Sequence, residues 1–252
     1  MEALIRDAAN RAARYLAALA DRSVSPPPPA LAGLGRLSAH LQDEPLDPLQ
    51  VLEELDRIGS PATVATAGGR FFGFVIGGSL PAALAANILA AAWDQEAGME
   101  VTSPIAAALE KVCRDWLLDL FGLPTGAEVG FVTGATTANF AGLAAARHAV
   151  LAAQGWDVEA WGLFGAPPIA VIVGNEVHIS LLKALSMLGL GRERLVKVPV
   201  DGQGRIVAAQ VPRIEGPAIV CVQAGNVNTG AFDPIDEIAA QLQGSGAWLH
   251  VD

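Results

Sequence analysis

The sequence has few basic residues and little cysteine, and both shortages narrow the possible functions. Lysine and arginine number 16 against 26 acidic residues, which gives a formal net charge of −10. Because nucleic-acid binding needs a concentration of basic side chains facing phosphates, we predict no nucleic-acid partner. The two cysteines, Cys113 and Cys221, lie in apolar segments without neighbours at metal-ligand spacing. We predict that they are reduced core residues of a cytoplasmic protein and that the chain binds no metal.

Long uncharged stretches are also scarce. Residues 1–20 mix charged with apolar residues, so they lack the continuous apolar core of a signal peptide. Phe71–Trp93 is uncharged and long enough to span a membrane, but Gly77, Gly78 and Pro81 interrupt it and Asn87 is polar. We interpret it as a buried extended piece followed by a buried helix from Pro81, and we predict no membrane span.

What the chain does have is enough apolar sequence for a large core, since 52% of its 252 residues are hydrophobic. Residues 1–60 are predicted to form an N-terminal helical segment. In it, a helix over residues 1–21 is followed by a stiff polyproline spacer at Ser25–Pro29 and by a helix from Asp47 to Gly59. A further helix is predicted over Pro104–Phe121, with Ser103 as its N-terminal cap.

The second half of the chain alternates apolar strands with helices. The predicted strands are Pro168–Gly174, Leu195–Pro199, Ala218–Gln223 and Ala247–Val251. The predicted helices are Val177–Leu188 and Asp233–Gln243, and Asp233 is the expected cap of the second. Strands that are apolar throughout and alternate with helices are typical of an α/β fold, with a mostly parallel sheet and helices on both faces. Ligands of such sheets bind at the carboxyl ends of the strands.

The segment Glu128–Arg147 is predicted to form a buried strand at Val129–Val132, a tight loop and a buried helix. Thr136 or Thr137 is the expected helix cap. A helix that starts with Gly, Ala and Thr exposes backbone N–H groups that favour an anion. The residues alone fit an anion site and an ordinary strand–helix corner equally well.

Two further polar residues follow predicted strands, His178 and Asp252. A dinucleotide-binding loop is disfavoured, because Ala138 and Phe140 stand where that loop needs glycine. Pyridoxal phosphate instead needs a helix N-terminus for its phosphate, a flat imidazole that stacks on its ring and a carboxylate for its pyridine nitrogen, all at one edge of the sheet.

Six segments resemble the group II pyridoxal-phosphate-dependent amino acid decarboxylases, the relatives of aromatic-L-amino-acid and glutamate decarboxylase. In chain order they read FFGFVIGGSLPAALAANIL, TSPIAAALEKVCRDWLLDLFGLP, GFVTGATTANFAGLAAAR, NEVHISLLKAL, GNVNTGAFDPIDEI and WLHVD. The resemblance covers roughly residues 45 to 252. It implies the large domain of a fold-type-I pyridoxal-phosphate enzyme, here residues 61–252, which acts as a homodimer on an amino acid.

The resemblance also assigns roles to individual residues. Gly134, Ala135 and Thr136 would bind the cofactor phosphate, and His178 would stack on the ring. Asn226 would lie near the ring oxygen and Asp252 would pair with the pyridine nitrogen, which makes His178 and Asp252 the catalytic candidates.

One expected element is missing from the resemblance. In this family the Schiff-base lysine follows the aspartate, and none of Lys111, Lys183 and Lys197 stands at that position. We therefore expect the chain to be the front part of a decarboxylase, truncated and inactive alone. Two alternatives stay open, namely another fold-type-I reaction such as transamination or carbon–sulfur cleavage, and a non-catalytic fragment or relative that binds a partner.

Overall fold

The computed structural model describes residues 1–37 and 40–252, which form two compact units, Met1–Glu96 and Ala97–Asp252. The division between these units falls later than residue 60. The assignment of residues 61–252 to one functional domain stays a prediction.

The first unit is helical. Its α-helices are α1 (Glu2–Ala17), α2 (Pro28–Gly33), α3 (Pro48–Gly59) and α4 (Pro81–Trp93). Asp47 caps α3 as its sequence indicates, because its side chain accepts a hydrogen bond from the Leu49 N–H group. The prediction that the proline run excludes a helix is wrong at its end. Pro28 begins α2, since proline is tolerated in the first turn, where its missing N–H would have no partner.

The segment Phe71–Trp93 is arranged as predicted but is not buried. Its first part has no regular secondary structure, and α4 begins at Pro81. Phe72 and Phe74 are about nine-tenths exposed, at 91% and 88%, and Trp93 is half exposed. The prediction that this segment is buried is wrong. An apolar sequence favours burial, but a side chain is buried only where other residues pack against it. Few residues of the first unit contact this segment. Across the described parts of the chain, no helix is long and apolar enough to cross a membrane.

The second unit contains the remaining helices and the sheet. Its helices are α5 (Pro104–Phe121), α6 (Ala135–Ala152), α7 (Val158–Trp161), α8 (Ile179–Met187) and α9 (Ile235–Leu242), and its strands are β1 (Ala170–Gly174), β2 (Val196–Val198), β3 (Ala218–Val222) and β4 (Trp248–Val251). Helix α5 has the predicted ends. The Ser103 hydroxyl accepts from the Ala106 N–H group, and Gly122 terminates the helix with a positive φ of 61°.

The four strands form a parallel sheet in the order β2-β1-β3-β4. Helices α6 and α8 pack on one face, where Leu143 and Leu185 are fully buried together with Ile219 of β3. Helix α9 packs on the other face, where Ile238 is fully buried beside Val220. The predicted α/β architecture, with a parallel sheet and helices on both faces, is therefore confirmed.

Three local predictions in this unit are wrong. Residues 129–132 are not a strand, and no strand of the described residues pairs with them, so Phe131 and Val132 stay exposed. Neither Thr136 nor Thr137 caps α6, because the helix begins earlier and both lie in its first turn, after Gly134.

The third error concerns Asp233. It does not cap α9, because its carboxylate instead accepts from two backbone N–H groups of other segments, those of Ile206 and Gln223, each at 2.7 Å.

Candidate cofactor-binding site

The first component of the site is the N-terminus of α6. Gly134 precedes the helix in an extended conformation, and its carbonyl oxygen accepts from the N–H groups of Thr137 and Ala138, each at 3.0 Å. Within the described part of the chain, the N–H groups of Ala135 and Thr136 have no acceptor. A Cβ atom placed on Gly134 would meet nothing within 4 Å, so the approach to these donors is open. The helix start can therefore receive an anion.

The second component is Asp252, which directly follows β4. Its backbone continues the parallel ladder, since its N–H donates to the Val222 carbonyl and its carbonyl accepts from the Ala224 N–H, both at 2.8 Å. Its Oδ1 atom accepts from the side-chain amide of Asn139 on α6 at 2.9 Å. From the residues that the structure describes, Oδ2 accepts no hydrogen bond. One carboxylate oxygen is therefore held in place and the other is available to a ligand.

The third component is His178, which precedes α8 and acts as its N-terminal cap. Its Nδ1 atom accepts from the Ser180 N–H group at 3.3 Å and lies 2.8 Å from the Ser180 hydroxyl. The His178 N–H donates to the side-chain oxygen of Gln223 at 3.1 Å, which ties the start of α8 to the end of β3. The residue is exposed, so a planar ligand has access to its ring.

A buried side chain, Asn139, connects these components. Its amide nitrogen donates to Asp252 and, at 3.2 Å, to the Ser180 hydroxyl, while its oxygen lies 2.7 Å from His250 Nε2. Asn139 is only 3% exposed, so its contacts with Ser180 and His250 are buried, and its contact with the half-buried Asp252 is partly buried. The structure thus brings His178 and Asp252, both predicted as site residues, into one hydrogen-bonded group with the helix that starts at Ala135.

His250 packs beneath α6 through a close contact with Gly142. A Cβ atom on Gly142 would come within 3.1 Å of the His250 ring, so a side chain at this position would crowd the ring. Burial lowers the pKa of His250, and the nearby Asp252 carboxylate partly offsets that effect. Burial also raises the pKa of the Cys221 thiol, with a further contribution from Asp252. We therefore treat His250 as neutral and Cys221 as an unreactive thiol.

The predicted site residue Asn226 is buried but bonded within its own loop. Its oxygen accepts from the N–H groups of Asn228 and Thr229, and its amide nitrogen donates to Glu176 at 3.1 Å. Gly204 makes room for this pair, since a Cβ atom there would lie 2.5 Å from the Asn226 amide. A contact between Asn226 and a cofactor ring oxygen stays a prediction.

The three lysines do not join the hydrogen-bonded group around Asn139 within the described residues. Lys111, Lys183 and Lys197 are all exposed, as predicted for Lys111 on the polar side of its helix. Lys183 lines a shallow hollow that Thr136 also borders. Within residues 1–37 and 40–252, no lysine forms a hydrogen bond with His178 or Asp252.

Sequence reasoning missed three residues of this site: Asn139, Ser180 and Gln223. Asn139 did carry a signal, because it is a lone amide in an otherwise apolar helical stretch. Such a residue is costly to bury without partners, so it points to a specific contact. Ser180 and Gln223 carried no comparable signal.

The site fits pyridoxal phosphate on observations of the chain itself. An open helix start provides free N–H donors for a phosphate, and Asp252 keeps a free carboxylate oxygen for a pyridinium nitrogen. The exposed imidazole of His178 stands at the same edge of the sheet. A parallel sheet with an open helix start, an exposed imidazole and a free carboxylate oxygen at one edge is typical of a cofactor-binding α/β domain.

Comparison with known proteins identifies the family. The pyridoxal-dependent decarboxylase conserved domain matches residues 33–252, and the chain therefore belongs to this family. The acidic amino acid decarboxylase GADL1 of Mus musculus is 31% identical over 198 residues, which are 75% of this chain and 35% of that protein. The cysteine sulfinic acid decarboxylase of Rattus norvegicus is 31% identical over 198 residues, or 75% of this chain and 39% of the relative.

Solved structures agree with the fold. The crystal structure of mouse CSAD in apo form has a TM-score of 0.87 at 29% identity, covering 100% of this chain and 54% of that one. The Oryza sativa TDC structure with PLP and tryptamine has a TM-score of 0.85 at 22% identity and covers 100% of this chain and 54% of that one. The predicted fold-type-I architecture and pyridoxal phosphate as the cofactor are confirmed. The chain spans about half the length of the solved relatives that it matches.

Proposed function

We propose that the protein, together with the remainder of the family's fold, decarboxylates an L-amino acid to an amine and carbon dioxide with pyridoxal phosphate. The observation that carries this proposal is the hydrogen-bonded group in which Asn139 joins Asp252 to the Ser180–His178 pair, on the helix that begins with free N–H groups. Family membership supports the same reaction class.

Different residues of the chain contact different parts of the cofactor in this proposal. The N–H groups of Ala135 and Thr136 bind the phosphate dianion, with about 0.3–1 kcal/mol from the helix dipole and more where the site is partly buried. The free oxygen of Asp252 holds a proton on the pyridine nitrogen, and His178 keeps the ring in place by stacking. Pyridoxal phosphate supplies the electron sink for the electron pair that remains when the carboxylate leaves.

We also infer that the 252 residues alone do not turn over substrate. A lysine for covalent attachment of the cofactor is required by the family's chemistry, and within the described residues none of the three exposed lysines forms a hydrogen bond with His178 or Asp252. Activity is therefore expected from the protein that contains the further part of the fold.

A homodimer in the cytoplasm is the proposed state of the full-length protein. Helix α5 exposes Leu109, Trp116 and Leu120, at 52%, 69% and 73% of their surface, which is a large apolar face for one unit to leave in water. Cys113 and Cys221 are both free thiols, which is usual in the reducing cytoplasm.

The test is a product assay on the full-length protein with pyridoxal phosphate and a panel of L-amino acids. Acidic amino acids and cysteine sulfinic acid come first, because relatives near 30% identity are named for them, and tryptophan follows. We expect carbon dioxide and the amine in equal amounts from at least one of them. Transfer of the amino group to a keto acid without carbon dioxide would favour transamination instead, and no turnover across the panel would contradict the proposal.

A further inference from the structure

Asn139 joins Asp252 to Ser180 in the buried group, and its amide has only one workable orientation. Its oxygen faces His250 Nε2, and its nitrogen faces two acceptors, Asp252 Oδ1 and the Ser180 hydroxyl. If the amide were reversed, its oxygen would face the Asp252 carboxylate, and neither group could donate. The observed orientation instead satisfies both N–H bonds and the oxygen.

This orientation fixes the protons of the neighbouring groups. His250 must carry its proton on Nε2 in order to donate to Asn139. The Ser180 hydroxyl accepts from Asn139, so its own proton is free to point at His178 Nδ1. His178 Nδ1 then acts as an acceptor, as it does toward the Ser180 N–H group, and the neutral His178 ring carries its proton on Nε2.

The same amide also sets the position of the carboxylate. It binds Oδ1 of Asp252 and leaves Oδ2 free, while the backbone of Asp252 is held by the β3 ladder. Asn139 itself cannot shift easily, because it lies on α6 one turn before Leu143, which is fully buried against the sheet. Asn139 on α6 therefore contacts the carboxylate directly and the imidazole through the Ser180 hydroxyl.

We propose that Asn139 is a positioning residue of the cofactor site, which sets the free oxygen of Asp252 and the proton-bearing nitrogen of His178 together. The proposal rests on the proposed function, since it assigns those two groups to the cofactor ring. It extends that function by naming the side chain through which the two ring contacts are coupled.

Two substitutions of Asn139 in the full-length protein test the proposal. Asn139→Ala removes both the N–H donors and the oxygen acceptor of the amide. Asn139→Asp keeps the volume but replaces the donor by a group that can donate only when it is protonated. The titratable groups that face it are Asp252 and His250 on the β4 side and His178 beyond Ser180. Each variant is measured for cofactor dissociation constant, for the pH titration of the bound cofactor's absorbance without substrate, and for turnover.

We expect Asn139→Ala to weaken cofactor binding about tenfold or more, and to move the absorbance titration by about one pH unit, which corresponds to the same tenfold change. Asn139→Asp should be impaired at pH 8 and recover as the pH falls toward 5.5. Protonation there restores a donor to Asp252 and removes the charge repulsion between the two carboxylates. The parent protein should not gain on acidification.

Leu143→Ala is the matched control, since it creates a cavity one turn further along the same helix without touching a polar group. It should lower the stability of the protein but leave the absorbance titration unchanged. A parallel shift in Leu143→Ala would show that Asn139 acts only through general packing, and this would overturn the proposal.

The outcomes also separate this proposal from the proposed function. If the parent binds the cofactor and decarboxylates, but Asn139→Asp keeps the parent's pH titration and turnover within about threefold, Asn139 is not a positioning residue and the function stands. If the parent neither binds pyridoxal phosphate nor releases carbon dioxide, the function itself has failed. If Asn139→Ala does not fold, the Asn139→Asp variant, which keeps the side-chain volume, tests whether Asn139 is a positioning residue.

Discussion

Replacing Asp252 by asparagine in the full-length protein tests the charge at the centre of the site. The change keeps the shape of the side chain, and the new amide can still offer an oxygen to the Asn139 donor that now binds Oδ1 at 2.9 Å. What it removes is the negative charge that the free oxygen presents to the pyridine nitrogen. Folding and phosphate binding at Ala135 and Thr136 should therefore largely survive.

The size of the effect follows from the burial of Asp252. Removing one partner of a buried ion pair costs about 3–5 kcal/mol. Asp252 is only half-buried, so water screens the pair in part and the lower end of that range applies. A loss of about 3 kcal/mol from the transition state corresponds to roughly a hundredfold to two-hundredfold lower turnover. The dissociation constant for the cofactor should change far less, because the phosphate contacts remain.

Turnover and cofactor affinity are measured on the same preparations of the parent and Asp252→Asn. Asp236→Asn is the control, because Asp236 is an exposed carboxylate on α9 that contacts no part of the site. If Asp252→Asn keeps turnover within about threefold of the parent, Asp252 is an ordinary strand-end carboxylate and the assigned cofactor geometry is wrong. If Asp236→Asn lost as much turnover as Asp252→Asn, the loss would reflect the change in the net charge of the protein rather than the removal of a charge from the site.

Three further outcomes are expected. Borohydride reduction of the 252-residue chain with pyridoxal phosphate, followed by peptide mapping, should find no stoichiometric attachment, because none of the three exposed lysines forms a hydrogen bond with His178 or Asp252 within the described residues; full labelling of Lys183 would contradict this. The full-length protein should sediment as a homodimer, since α5 exposes an apolar face, and an active monomer would refute the inference. Finally, the free energy of unfolding should fall as the pH drops below about 6.5, the ordinary pKa of histidine, because the unfolded chain then takes up a proton that buried His250 resists. His250→Gln should reduce this fall in denaturant titrations, and the idea fails if the variant keeps the pH dependence of the parent.

Features that depend on neighbouring residues in the sequence could be predicted. Ser103 and Gly122 mark the ends of α5 because a hydroxyl cap and a left-handed glycine act within one turn of the chain. The strands could be predicted in the same way, because each is a short apolar run between helical segments. Their order in the sheet, β2-β1-β3-β4, could not be predicted, because it depends on which strands pair.

Features that depend on distant partners were predicted poorly. Residues 129–132 have a strand-like composition, but a strand exists only where another strand pairs with it. Asp233 stands where a helix cap is common, but its carboxylate accepts hydrogen bonds from the N–H groups of Ile206 and Gln223 instead of capping α9. His178 and Asp252 could be selected because they follow predicted strands and match the family's pattern, whereas the contacts by which Asn139 joins them depend on the three-dimensional fold.

The contact between Asn139 and Asp252 has a consequence for synthesis of the chain on the ribosome. The two residues are 113 positions apart, and ribosomes add about 5–20 residues per second, so Asn139 emerges roughly 6–23 s before its partner. During that interval the side chain of Asn139 lacks two of its three hydrogen-bond partners, His250 and Asp252, although the apolar partners of Leu143 on α8 and β3 are already synthesised. A nascent chain stalled before Trp248 should therefore be cleaved more readily by proteases near the start of α6, and this sensitivity should disappear once β4 has left the exit tunnel.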